Sequence, residues 1–378
     1  MSALSFTQIE IDGFRGLRSL NLEGLGRVNI LVGQNNSGKT SVLEALSILC
    51  NPQKPSEWLS MVRRRDFGRL DENIVQSLRW CFKQTAKNNY DDFIEASCHF
   101  KCESLILKQL TVKYTEFMGS HTEVISIPIG EDLFGDTEYE HEEEITPCRA
   151  VKLEHSFVLS QQGKGESFFL KVNEKGGVIP SFWEERKKQY SYYINYELLT
   201  PYSYQLSKVQ LQTFSEQLFN DDIVELLQDF DADIDGIQIA SFSGERAAIY
   251  IKHKQLGIAP LSVFGDATRR AVLLTSTLLS LKNGGVLLID EVEVGIHVSA
   301  LANFFKWLVN AARKLNVQVF VTTHSLEALD AITFSDNDHA EEDIVVFRLK
   351  QTEEKTESKR LSGDLLHRLR FERGLDVR

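Results

Sequence analysis

The chain has 378 residues and a formal net charge of −12, and 42% of its residues are hydrophobic. This length allows two or three structural units, and the apolar content excludes a disordered chain because it is enough to build a core. The acidic balance argues against nucleic-acid binding over the whole surface, but a local basic run such as Arg63–Arg65 can still act at short range.

The N-terminus has no basic segment followed by an apolar one, so we expect no signal peptide. The longest apolar region, 272–289, is interrupted at 282–285 and predicts helix, turn and strand rather than a membrane span. The cysteines fit neither a disulfide framework nor a zinc motif and are predicted to be reduced in a cytoplasmic protein. They are Cys50, Cys81, Cys98, Cys102 and Cys148.

In chain order, residues 5–32 predict two strands and a turn, followed by a glycine-rich loop and a helix. Residues 54–84 have helical spacing. From about 90 to 175, β-branched and aromatic runs predict an antiparallel insertion, with the acidic stretch 130–144 as a mobile loop. A helix is expected at 208–230, and two strands follow it.

The C-terminal part alternates amphipathic helices with short apolar strands, which predicts a mostly parallel sheet. A charged tail with a helical segment at 365–371 closes the chain. We therefore expect an α/β fold whose core is formed by 1–85 and 250–378. Residues 86–249 are expected to form a β-rich insertion followed by a helical segment, a candidate dimerisation or partner-binding region.

The loop GQNNSGKT (33–40) lies between the apolar run VNILV and a helical pattern. Glycines let successive backbone N–H groups face one anion, and the following helix adds its positive end. In this pattern the lysine contacts the terminal phosphates and the threonine hydroxyl ligates Mg²⁺. The residues predicted to bind ATP here are Gly33, Asn35, Asn36, Ser37, Gly38, Lys39, Thr40 and Ser41.

The run VLLIDE (286–291) predicts a central parallel strand that delivers two acids to its carboxyl end. Successive side chains of a strand point to different sides. Asp290 is therefore predicted to join Thr40 in holding Mg²⁺, and Glu291 to polarise the attacking water as a general base.

Two further motifs are candidates for contacts with the phosphates. His324 follows the apolar run VQVFV and is predicted to contact the γ-phosphate. Ser262 and Gly265 precede a long helix, where a hydroxyl and a bare backbone suit a second anion contact. An ordinary helix cap is the alternative interpretation of that second motif.

Taken in order, these motifs resemble the ABC/SMC-type P-loop ATPases. Three segments, IDGFRGL near the start, FGDATRR (264–270) and DEVEVGIH (290–297), resemble the OLD-like ATPases of bacterial and phage-defence operons. The resemblance covers about 1–60 and 255–378. Where many relatives carry Ser-Gly-Gly-Gln, this chain reads Ser-Val-Phe-Gly.

The resemblance implies a homodimer, or a higher homo-oligomer, in which Ser262 and Gly265 of one subunit contact the nucleotide bound by the other. Many OLD-like proteins carry a TOPRIM nuclease after the ATPase, and this chain reaches only Arg378. We therefore expect a nuclease effector in trans rather than in the same chain.

The sequence thus predicts an Mg²⁺-dependent ATPase that dimerises around ATP and controls a separate effector in anti-phage defence. A RecF-type DNA repair ATPase that binds DNA directly is the first alternative. A nucleotide-binding subunit of a transporter is the second, and the insertion argues against it. The ATPase assignment depends on local chemistry, whereas the defence assignment depends on resemblance.

Overall fold

A computed structural model describes most of the chain. The described residues are 4–54, 56–65, 73–83, 93–104, 106–131, 137–160, 165–174, 193–201, 203, 222–241, 247–333, 343–361, 365–366, 368–374 and 376–377. The helices are α1 Lys39–Cys50, α2 Ser56–Arg65, α3 Ile74–Arg79, α4 Asp222–Phe230, α5 Asp266–Ser280, α6 Val298–Lys314 and α7 Leu326–Thr333. No helix within these ranges is long and apolar enough to cross a membrane.

One sheet positions the candidate site. Its strands are β3 Val28–Val32, β8 Tyr196–Leu199, β12 Val286–Ile289, β13 Gln318–Thr322, β14 Ile344–Gln351 and β15 Thr356–Leu361. Their order across the sheet is β15-β14-β3-β13-β12-β8, and only the edge strand β15 is antiparallel. The α/β fold with a mostly parallel core is therefore confirmed.

This sheet is covered on both faces, which explains why its central strands are continuous apolar runs. Alternate residues of each strand enter different cores because side chains alternate across a strand. In β12, for example, Leu288 packs in the core that includes α1, whereas Leu287 packs in the core that includes α5 and α6.

A second, antiparallel sheet contains β1 Phe6–Asp12, β2 Leu20–Glu23, β4 Glu95–Ser104, β5 Leu107–Glu131, β6 Thr137–Leu159 and β7 Gly165–Asn173. Its order is β2-β1-β4-β5-β6-β7, so the strands expected in the insertion extend the N-terminal hairpin. The mobile loop expected at 130–144 is corrected, because Glu131 pairs with Thr137 and residues 137–144 continue as strand β6. Residues 132–136 lie outside the described ranges.

The structure also differs from the expected boundaries of the insertion. Strand β8 lies within 86–249, yet it pairs in parallel with β12 of the core sheet. A third sheet joins β9 Ile234–Ala240 to β10 Ala248–His253 and β11 Gly257–Pro260, so the boundary at 249 falls inside a hairpin. Helix α4 contains the end of the helix expected at 208–230, whose first part is outside the described residues. In the tail, Arg368–Glu372 forms one short π-helical turn.

Candidate nucleotide site

The glycine-rich loop joins the buried strand β3 to helix α1, as the sequence predicts. Gly38 has a φ of 95°, and a Cβ there would meet Leu17 Cδ2 at 2.5 Å. A Cβ on Gly33 would lie 2.5 Å from the Leu349 carbonyl oxygen. Glycine is required at both positions because a side chain would be strained at one and blocked by backbone at the other. The loop can therefore curl with its backbone N–H groups accessible to an anion.

Lys39 is held over this loop. Its Nζ donates hydrogen bonds to the carbonyl oxygens of Gly33, at 2.8 Å, and Gln34, at 3.0 Å. Burial lowers the pKa of Lys39 from its ordinary value, and the carboxylates of Asp290, Glu291 and Glu293 oppose that shift. The Ser37 hydroxyl is buried and has no hydrogen-bond partner within the described part of the chain. A phosphate bound in the loop would offer oxygens that accept hydrogen bonds from the Lys39 ammonium and the Ser37 hydroxyl.

Asp290 follows β12 at the carboxyl edge of the parallel sheet. Thr40 Oγ1 lies 3.1 Å from each oxygen of its carboxylate, and Thr322 Oγ1 donates to Asp290 Oδ1 at 2.6 Å. The backbone N–H of Asp290 donates to Leu199 O at 2.8 Å, so the edge strand β8 also holds this position. Carboxylate and hydroxyl oxygens that converge in this way fit a hard divalent cation such as Mg²⁺.

Glu291 has an unusual backbone. Its φ is 49°, in the left-handed region that non-glycine residues seldom adopt. Its N–H donates to Thr322 Oγ1 at 2.8 Å, which stabilises this conformation. The Glu291 carboxylate also lies close enough to Lys39 to raise that residue's pKa. Strain of this kind is concentrated at functional sites.

His324 lies beyond the end of β13, and it lines the same cleft as Lys39 and Thr40. Its N–H donates to Glu293 Oε1 at 2.9 Å, and the N–H of Ser325 donates to the same oxygen at 3.2 Å. Glu293 therefore fixes the loop that carries His324. The role of His324 at a γ-phosphate stays a prediction.

The cleft beside the loop has a volume of about 680 Å³. Residues 35–41 line it, as do the N-terminal Arg15 and Arg18. Arg15 forms a 2.6 Å ion pair with Glu44 of α1, which orients it toward the loop's helix. Three residues that follow α3, namely Trp80, Phe82 and Lys83, also line the cleft.

Ser262 and Gly265 do not line this cleft in the same subunit. Ser262 is exposed in a 3-10 turn over Leu261–Val263, and Gly265 is the N-cap of α5. Behind them, the buried Arg270 donates from Nη1 to Val292 O at 3.1 Å. This hydrogen bond links the helix that follows the Ser262 segment to the loop after Asp290. The contact of Ser262 and Gly265 with the nucleotide of a second subunit stays a prediction.

Sequence reasoning missed three residues of this site. Thr322 bridges Asp290 and Glu291, Glu293 anchors the His324 loop, and Trp80 lines the cleft. The sequence did offer a signal for Glu293, because it is a third acid only two residues after Glu291. Thr322 was visible in the motif TTHS, but nothing in the sequence shows which acid it contacts.

Two family models match parts of the chain. Residues 161–330 match the family described as "AAA domain, putative AbiEii toxin, Type IV TA system". Residues 4–79 match a family described as a protein of unknown function, DUF2813.

Relatives match over very different lengths. An "ATP/GTP phosphatase" of Helicobacter pylori is 22% identical over 86% of this chain and 86% of its own. The uncharacterized protein MJECL11 of Methanocaldococcus jannaschii is 32% identical over 29% of this chain and 95% of its own. The DNA replication and repair protein RecF of Pseudomonas savastanoi is 46% identical over 46 residues, 12% of each chain.

Among solved structures, the Smc head domain of Pyrococcus furiosus aligns with 98% of this chain and 99% of its own at a TM-score of 0.48 and 8% identity. The AAA match includes Asp290, Glu291 and His324, and the loop at 33–40 has the geometry of a phosphate-binding loop. The chain therefore belongs to the same family as MJECL11, and its residues 161–330 are similar to the AAA-domain family.

Proposed function

We propose that the protein is an Mg²⁺-dependent ATPase that dimerises around ATP and controls a separate effector protein, a nuclease of the TOPRIM type, in anti-phage defence. The observation that carries the ATPase assignment is the convergence of Thr40, Asp290 and Thr322 beside the phosphate loop. These residues come from three distant parts of the chain, and the parallel sheet brings them to one edge.

In this proposal, the backbone N–H groups of 33–40 and the Lys39 ammonium bind the β- and γ-phosphates. Thr40 and Asp290 would hold Mg²⁺, which would neutralise phosphate charge when bound. Glu291 orients a water molecule and accepts its proton as the water oxygen bonds to the γ-phosphorus. The bond from that phosphorus to the bridging oxygen breaks, and ADP leaves.

His324 contacts the γ-phosphate, and Glu293 holds its backbone in place. Ser262 and Gly265 complete the site of a second subunit, so ATP stabilises the dimer. Val263, two residues before Gly265, and Val298, the first residue of α6, support this role because they are 64% and 61% exposed and a second copy would cover them.

The defence role is supported by the resemblance to OLD-like ATPases and by the family description that names a toxin of a toxin–antitoxin system. The ATPase cycle supplies two states, and a partner that binds one of them is controlled by the nucleotide. The extended strands β5 and β6 are our candidate for the partner-binding surface, and the protein acts in the cytoplasm.

A RecF-type role in DNA repair is the second candidate, because RecF proteins match 46 residues of this chain at 46% identity. That match is short and covers 12% of either protein. Under this alternative the effector is DNA itself, and DNA stimulates hydrolysis without another protein.

The test is a pull-down of the tagged Glu291→Gln variant from its native host, with mass spectrometry and nucleic-acid analysis of the captured material. This variant should accumulate in the ATP-bound state, which is the state that a partner recognises. A stoichiometric protein encoded nearby supports the effector proposal. DNA without a protein partner contradicts it and supports the repair alternative.

The matched control is Lys39→Ala, prepared in the same way. It should not bind nucleotide, so a nucleotide-dependent partner should be absent from its pull-down. A protein captured equally by both variants does not respond to ATP, and that result would contradict nucleotide control.

A further inference from the structure

Trp80 is a large aromatic residue on the wall of the nucleotide cleft, and 63% of its surface is exposed. The two residues that follow it, Cys81 and Phe82, are buried, with exposed fractions of 0% and 1%. Exposing an indole in a concave site leaves apolar area in water that a ligand can cover. The exposure is therefore local to one side chain, in the cleft that residues 35–41 also line.

The backbone under Trp80 is rigid. Trp80 caps α3, with its N–H donating to Gln76 O at 3.2 Å, and the Arg15 N–H donates to Cys81 O at 2.8 Å. Phe82 stacks on Trp58 with a centroid distance of 5.3 Å and an interplanar angle of 6°. The ring of Trp80 is consequently presented on a fixed support next to Arg15, which also lines the cleft.

The chemistry of the cleft differs between its parts. The loop at 33–40 offers N–H groups, an ammonium and hydroxyls, all of which suit phosphates. Trp80 offers an uncharged π face with no charge to bind an anion. Within a nucleotide, the base is the part that complements such a face, because stacking on aromatic side chains is a general way to bind bases.

We propose that Trp80 is the stacking platform for the nucleotide base. This inference rests on the proposed ATP site and adds a residue that the phosphate-loop pattern does not contain. Every base has a π face, so stacking on Trp80 binds the base without reading its edges. Adenine and guanine nucleotides should therefore depend on Trp80 to a similar degree.

The experiment compares ATP, GTP and inorganic tripolyphosphate, which has the phosphates but no base. Binding to the full chain is measured by calorimetry with Mg²⁺ for the wild type, Trp80→Ala and Trp80→Phe. Tyr193→Ala serves as the matched control, since Tyr193 is an aromatic residue with 54% exposure that does not line the cleft. Circular dichroism verifies that each variant is folded.

We expect Trp80→Ala to weaken ATP and GTP binding by roughly tenfold, a typical effect of removing a stacked aromatic residue. Tripolyphosphate affinity should stay the same, Trp80→Phe should recover most of the loss, and Tyr193→Ala should bind like the wild type. Equal ATP affinity in Trp80→Ala and wild type would overturn this inference alone. An equal loss for ATP and tripolyphosphate would also overturn it. If the wild type binds neither ligand, the proposed nucleotide site itself is wrong.

Discussion

The Thr322 hydroxyl donates a 2.6 Å hydrogen bond to Asp290 Oδ1. Thr322 Oγ1 also accepts the N–H of Glu291 at 2.8 Å, so one buried side chain holds both acids at the end of β12. Thr322 therefore positions the carboxylates without itself contacting the phosphates in the proposed mechanism.

Replacing Thr322 with valine should slow hydrolysis. The change keeps the shape but removes one of the two hydroxyl donors to Asp290 Oδ1, where Thr40 remains. It also leaves the N–H of Glu291 unpaired, at a cost of about 1–3 kcal/mol. We expect kcat to fall by roughly tenfold to a hundredfold, because a misplaced catalytic group can slow a reaction by about 10²-fold. Thr322→Ser, which keeps the hydroxyl, should retain most of the activity in a phosphate-release assay. Equal activity of both variants would show that the bridge is not needed.

Glu291→Gln should retain ATP and hydrolyse it poorly, because glutamine cannot accept a proton from water. Loss of a general base typically lowers the rate by about 10²–10⁴-fold. The variant should also accumulate as a nucleotide-bound dimer, detected by light scattering after size exclusion. Glu293→Gln is the matched control, since its amide oxygen can still accept from the His324 N–H, and its rate should fall less. Wild-type turnover by Glu291→Gln would show that another group is the base.

Lys39→Ala should abolish nucleotide binding, because it removes the one side-chain ammonium that lies on the phosphate loop among the described residues. Binding is measured with a fluorescent ATP analogue and with tripolyphosphate. Lys54→Ala is the control, because Lys54 is an exposed lysine beyond the end of α1. An unchanged affinity in Lys39→Ala would contradict the assignment of this loop.

Gly38→Ala should destabilise the fold as well as the site. The left-handed φ costs about 1–2 kcal/mol for an alanine, and the new methyl group must also displace the side chain of Leu17. Gly257→Ala isolates the first effect, because Gly257 has a φ of 69° and no atom within 4 Å of an added Cβ. Urea unfolding should show a larger loss for Gly38→Ala. Equal losses would mean that the Leu17 contact has no cost.

The cysteines should be unreactive in the native protein. All five are buried thiols, burial raises the pKa values of Cys50 and Cys98, and it raises the pKa of Cys102 to about 12. A thiol reacts as its thiolate, whose population at pH 8 lies far below that of an ordinary cysteine. Titration with a thiol reagent should therefore count no cysteine before unfolding and five after it. A rapidly reacting thiol in the native state would show that one of these sites opens.

The phosphate loop and the Asp290–Glu291 pair could be predicted because each is a local pattern attached to an apolar strand. Contacts between strands could not be predicted in the same way. Thr322 meets Asp290 only because β13 pairs with β12, and four-residue β8 is too short to have its own periodic signal. Trp80 follows a six-residue helix, where the sequence does not indicate which way the side chain faces. The acidic run before 144 suggested a loop because its side chains are charged and do not alternate with apolar ones. The strand there is formed by backbone pairing with β5, which the side-chain pattern does not indicate.

The position of β3 in the sheet has a consequence for folding during synthesis on the ribosome. Val28 pairs with Val319 on one side and with Ile344 on the other, so the strand before the phosphate loop has no sheet neighbour until residue 319 has been synthesised. At about 5–20 residues per second, that wait lasts roughly 15–60 seconds. During it, an apolar strand from the N-terminus is without its partners. Nascent chains of this protein should thus depend on holding chaperones, and ATP should bind only after β13 and β14 have paired with β3.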